Sequence, residues 1–213
     1  LGADQRAAPF EPLAGEDAGE LVDRSPVGIT ATRDPQSLLT TVADCVLYMP
    51  RDVFLDPTTP GSPAAEWVHE VVAILESGKN VISPLQSAMH WRQLANGDRL
   101  RARLETACQR GGVTLFFTGL DPGFISDCLA MTVSSATTSI SRVRTLEVID
   151  YDTYPGAETL ASMGFGHEPD NGADTADDSL VPSWGCALWL VADSFGVELS
   201  NITLATETVP YID

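Results

Sequence analysis

The sequence predicts an α/β protein: a parallel sheet with crossover helices, followed by a smaller α+β domain. Three observations predict it. Up to residue 117, short apolar runs alternate with amphipathic helical stretches. Glycines stand at the ends of those helical stretches, where helices stop. Beyond residue 131 the pattern changes to long segments that alternate apolar and polar residues, the period of a strand with one solvated face. The change falls just after the turn Gly119-Leu120-Asp121-Pro122-Gly123, which divides residues 1–125 from residues 126–213.

Taken in order, residues 1–26 are polar and turn-rich, and Val27-Gly28-Ile29-Thr30-Ala31-Thr32 reads as a short strand. Asp34-Pro35 opens a short helix, with Asp as N-cap and Pro at the first helical position. Asp44-Cys45-Val46-Leu47-Tyr48-Met49-Pro50 is a buried strand closed by its proline. A loop rich in proline and glycine leads to a helix over 64–77, with Trp67, Val71, Ile74 and Leu75 on one side and Gly78 as its cap. Asn80-Val81-Ile82-Ser83 is the next strand, 99–109 the next helix, and Val113 to Phe117 the third strand. Ile125 starts another helix. Arg142 to Tyr151 and Asn201 to Val209 read as alternating strands, and Ser183 to Phe195 as an amphipathic helix capped by Gly196.

Composition narrows the function. Twelve basic against 30 acidic residues give a net charge of −18, so the chain lacks the clustered cations that a nucleic acid requires. No apolar run reaches the ~18 residues that span a bilayer, so no membrane partner is expected. The four cysteines, Cys45, Cys108, Cys128 and Cys186, form no CxxC pair; they read as buried thiols of a reducing, cytoplasmic compartment. No metal is expected, because His69-Glu70 has no second histidine at ligand spacing. Neither a glycine-rich dinucleotide fingerprint, nor a phosphate loop, nor a nucleophile elbow occurs.

The stretch Thr118 to Phe124 carries the sharpest signal. Two glycines and a proline between a buried strand and a helix make a tight turn. Ligands of open α/β sheets bind at the carboxyl ends of strands.

The order of Asp17-Ala18-Gly19-Glu20-Leu21, the segments at 27–32, 44–50 and 75–83, the turn at 119–124 and Met163-Gly164-Phe165-Gly166 resembles a known family. It is similar to the actinobacterial dihydrodipicolinate-reductase-like proteins, relatives of 2,4-diaminopentanoate dehydrogenase and of the native amine dehydrogenases. The resemblance implies a partial Rossmann-like domain that binds NAD or NADP, then an α+β domain for substrate and oligomer contacts. It implies a small-molecule substrate and a homo-oligomer. It also implies that a first strand, a glycine-rich turn, a helix and a second strand precede Leu1, so that the chain is truncated and lacks its cofactor cradle.

In such relatives the strand ends flank the nicotinamide and its ribose, which makes Tyr48, Met49, Pro50, Ser83, Pro84, Gly119, Asp121 and Pro122 the cofactor-binding candidates. Asp121 departs from the usual Asn: ionised, it accepts hydrogen bonds and donates none. Gln86 stands in the region where the amine dehydrogenases carry a carboxylate. His90, the nearest titratable group, is the candidate to protonate a carbonyl oxygen. Glu147, Tyr151, Phe165 and His167 are candidates to line a substrate pocket. Two functions compete: an NAD(P)-dependent oxidoreductase of a small carbonyl, imine or amine, and a non-catalytic small-molecule-binding or interaction protein derived from one.

Overall fold

The computed structural model describes residues 13–50, 57–58, 61–62, 64–89, 91–94, 96–154, 157–162, 165–166 and 180–205. Within them the chain is a mixed α/β protein built on a three-stranded parallel sheet, a partial Rossmann-like arrangement. The strands are β1 (Cys45–Leu47), β2 (Asn80–Ser83) and β3 (Leu115–Phe117), side by side in sequence order. Val46 lies beside Val81, and Val81 beside Leu115; Leu47 lies beside Ile82, and Ile82 beside Phe116.

The helices are α1 (Pro35–Thr40), α2 (Ala65–Glu76), α3 (Gln86–Met89), α4 (Gly97–Gly111), α5 (Ala130–Ser134), α6 (Ala157–Ser162) and α7 (Leu180–Ser194). Single helical turns lie at Glu20–Val22 and Trp91–Gln93, and a π-helical turn at Ile125–Leu129. Helix α1 starts as its sequence demands: Asp34 caps it by accepting from the Gln36 N–H at 3.0 Å, with Pro35 in the first turn.

Parallel neighbours need crossovers, and α2 and α4 supply them. Both crossovers step the same way across the sheet and share one hand, so both helices fall on one face. There α2 packs against α4. The core between them holds Trp67, Val68, Val71 and Leu75 from α2, Leu100, Leu104 and Ala107 from α4, and Val81 from β2. Trp67 meets Phe117 edge-on, with ring centroids 6.2 Å apart. Burying each of these large side chains stabilises by about 1.5–3 kcal/mol. The rim carries Arg110–Glu76 at 2.9 Å and Arg103 beside His69 at 2.9 Å, both exposed.

The opposite face of the sheet carries Cys45, Leu47, Ile82 and Phe116, and it is open. Leu47 is 64% and Phe116 52% exposed. That corrects one expectation: of the four free thiols only Cys186 is buried, Cys108 and Cys128 are half-buried, and Cys45 is exposed because it lies on this face.

The chain divides into two compact units, each described by itself. One takes in Val42–Leu146 and Asp174–Thr206 and contains the sheet. The other takes in Leu1–Thr41, Glu147–Ala173 and Glu207–Asp213. In the latter, the segment expected as a strand at 27–32 makes only an isolated antiparallel bridge, Asp17 with Thr30. The Asp17 carboxylate gathers the N–H groups of Gly19 (2.8 Å), Val27 (2.9 Å) and Gly28 (2.7 Å), and these hold its pKa below the ordinary carboxylate value. The alternating segment 142–151 also forms no ladder; Leu146 and Val148 are 85% and 88% exposed. Alternation marks a residue set fit for a half-buried strand, but a strand needs a partner backbone, and none pairs with this one among the described residues. The same holds for 201–205; residues 206–209 lie outside the described residues.

Candidate functional site

Because the three strands are parallel and adjacent, their carboxyl ends share one edge. Tyr48, Met49 and Pro50 follow β1, Pro84 follows Ser83 at the end of β2, and Thr118 and Gly119 follow β3. The ladder runs one step past the strands there: Tyr48 N–H donates to the Ile82 carbonyl and Thr118 N–H to the Ser83 carbonyl, each at 2.9 Å. All eight positions expected from the sequence to meet a cofactor lie on the loops of this edge or on the turn that leaves it.

The side chains divide into those turned inward and those left open. The Tyr48 hydroxyl donates to Glu70 of α2, and burial together with that carboxylate raises its pKa well above the ordinary phenol value. Ser83 is fully buried, and its Oγ has no hydrogen-bond partner among the described residues. Pro122 is buried. Met49 and Leu120 are each 69% exposed, and Phe124 is also exposed. Asp121 is half-buried.

The turn itself is a crossing of backbone on backbone. Its Asp121–Pro122 peptide is cis. A Cβ on Gly119 would stand 2.5 Å from the Pro122 carbonyl oxygen, and one on Gly123, whose φ is +124°, would overlap the Gly119 backbone nitrogen. Only glycine fits either place. Both glycines therefore serve the fold of the turn.

Four side chains hold this crossing. Ser126 Oγ donates to Asp121 Oδ1. Gln86 Nε2 lies 3.5 Å from the Asp121 carbonyl oxygen. Thr118 Oγ1 donates to the Gly123 carbonyl at 3.1 Å. Asp127, fully buried, accepts the Gly123 N–H at Oδ2 (2.6 Å) and the Cys128 N–H at Oδ1. Two thiols lie near that carboxylate. Burial first and Asp127 second push the Cys128 thiol up, and they push Cys186 up to about 12.

Sequence reasoning passed over Asp127, Ser126 and Thr118. The available signal was a Ser-Asp pair at the entry to a helical turn, three residues beyond Gly123. Of the substrate-lining candidates, Tyr151 and Phe165 come together in the second unit, with ring centroids 5.5 Å apart; Tyr151 also meets Tyr154 at 5.5 Å. Glu147 is exposed. His90 and His167 lie outside the described residues. Among the described residues, no three His, Cys, Asp or Glu side chains gather as metal ligands, and no helix is long and apolar enough to cross a membrane.

No protein-family model matches the chain. Against curated proteins, it is 30% identical over 196 residues to an amine dehydrogenase of Streptomyces virginiae, a match that takes in 88% of this chain and 51% of the relative. The chain is similar to a dehydrogenase. It spans about half the length of that relative.

Exposed Met49, Leu120 and Phe124 offer apolar surface, and half-buried Asp121 keeps Oδ2 without a hydrogen bond among the described residues. That set fits the nicotinamide end of a dinucleotide. The described loops of this edge carry no glycine-rich turn and no cation for its pyrophosphate.

Proposed function

We propose that this chain is part of an NAD(P)-dependent oxidoreductase that acts on a small carbonyl, imine or amine. One observation carries the reading: the turn bearing Asp121 stands at the carboxyl edge of a parallel sheet, where α/β folds hold their ligands. The similarity to an amine dehydrogenase supports it. In this reading residues 1–125 supply the cofactor side and 126–213 the substrate side. A nicotinamide, when bound, supplies or accepts the hydride. Asp121 receives the carboxamide N–H at its open oxygen or orients an ammonium group, and repels a carboxylate. Met49 and Leu120 exclude water from the ring. His90 carries the proton of the carbonyl oxygen. The protein acts as a homo-oligomer in the cytoplasm.

Gln86 and Asp121, the two positions at which the chain departs from the family resemblance, are in contact. This favours a second reading, in which the site binds a small molecule without turning it over, since Gln86 cannot exchange a proton. Turnover decides between them. NAD+ and NADP+ with short aliphatic amines, and NADH and NADPH with the matching aldehydes and ammonium, are assayed on this chain and on the whole gene product. The oxidoreductase reading expects cofactor binding and turnover in the whole product, with Asp121→Ala weakening NADH about tenfold and Asp121→Asn retaining it, the cost of one good hydrogen bond. Binding without turnover supports the second reading; no binding overturns both.

A further inference from the structure

We propose that Asp127 is the positioning residue of the candidate site, acting on Asp121 through the Gly123 peptide; the proposal rests on the reading of the turn as the nicotinamide edge. Asp127 is a fully buried carboxylate, and no described cation pairs with it. Burying an unpaired charge is costly, and backbone N–H groups are what offset it here. They come from Gly123, at 2.6 Å, and from Cys128. Gly123 is thus gripped on both sides, its N–H by Asp127 and its carbonyl by Thr118 at 3.1 Å. Its φ is +124°, and it passes so close to the Gly119 backbone that a Cβ would not fit.

Asp121 is two residues upstream, on the same crossing. Ser126, which donates to Asp121 Oδ1, is the residue immediately before Asp127. One short segment therefore grips the turn at two points: Ser126 at the carboxylate that meets the ligand, and Asp127 at the peptide that sets where this carboxylate stands. The five-residue segment Ile125–Leu129 is π-helical, a wider turn that often accompanies functional sites. Its register places both side chains against the crossing.

Asp127→Asn keeps the volume but not the chemistry. An amide has one acceptor oxygen, so its NH2 group must face one of the two N–H groups that the carboxylate now accepts. Two readouts test the proposal, the first on the 213-residue chain and the second on the whole gene product. The first is amide exchange at Gly123, expected to rise about tenfold in Asp127→Asn while Val81 and Ile82 of β2 keep their protection. The second is the affinity for NADH against ADP-ribose, which lacks the nicotinamide. The expected loss is about fivefold for NADH and none for ADP-ribose. A residue that only stabilises the fold weakens the two equally. Thr118→Val, which frees the Gly123 carbonyl and spares the buried charge, gives the same pattern with smaller shifts and serves if Asp127→Asn does not fold. Equal weakening of both ligands, or a Gly123 N–H that stays protected, overturns the proposal. Should the unaltered gene product bind neither ligand, the reading of the edge fails and this role with it; fast exchange at Gly123 then leaves only a structural clamp.

Discussion

Two aspartates do the same chemistry in two settings. Asp17 collects three backbone N–H groups in the loop 17–28, and Asp127 collects two around the 119–124 turn. Asp127 is fully buried, whereas Asp17 is half-buried and its bonds to the Val27 and Gly28 N–H groups are exposed; Val27 is 58% exposed. Burial decides what each is worth. Water takes over freed N–H groups at the surface, while a freed N–H in the interior loses its partner outright. The Asp17 loop is thus a local fastening, and the Asp127 turn is a fixed point on which a ligand edge can be built.

The comparison breaks most visibly with alanine. Asp127→Ala takes the acceptor from the buried Gly123 N–H and the half-buried Cys128 N–H and is expected to cost about 2–4 kcal/mol, read from urea unfolding. A loss below about 1 kcal/mol would put the two aspartates in one class. High pH sharpens the buried side. Cys186, beside Asp127, has its thiol pushed from 9.0 up to about 12, chiefly by burial. A raised pKa stabilises fully below the unfolded value and loses that contribution as pH rises through the folded one. Stability is therefore expected to fall between about pH 9 and 12, and Cys186→Ala to flatten that slope.

At low pH the surface aspartate answers. Its depressed pKa contributes above the unfolded value, about 3.9, and the contribution fades as pH falls through the folded value. Faster amide exchange at Val27 and Gly28 is expected there, and at neutral pH in Asp17→Asn, with Gly123 untouched. The smallest effect belongs to Ser83→Ala. This hydroxyl is buried without a partner, so removing it is expected to change stability by no more than about 0.5 kcal/mol or to raise it. A loss above about 1 kcal/mol would mean that a buried water serves it.

The sheet was legible because its signals are local. Val81 and Leu75 sit in apolar runs of the right length, and glycine follows α2 and α7 at Gly78 and Gly196, both with positive φ. The edge was legible too, since parallel strands must share it. Other features were not. Strand pairing at 142–151 depends on a partner that periodicity does not reveal, so alternation there predicted a strand that does not form. The inward turn of Tyr48 depends on Glu70, 22 residues away. Asp127 looked like one acid among 30; only its burial behind the glycine crossing sets it apart.

The central claim is that the turn bearing Asp121 is where a nicotinamide meets this chain. Titration of NADH into the isotope-labelled chain, followed through its backbone amides, tests it directly. The largest shifts are expected at Gly119, Leu120, Asp121 and Gly123, with Met49 next and the Asp17 loop unmoved. Shifts confined to other residues, or none at saturating NADH, would contradict it.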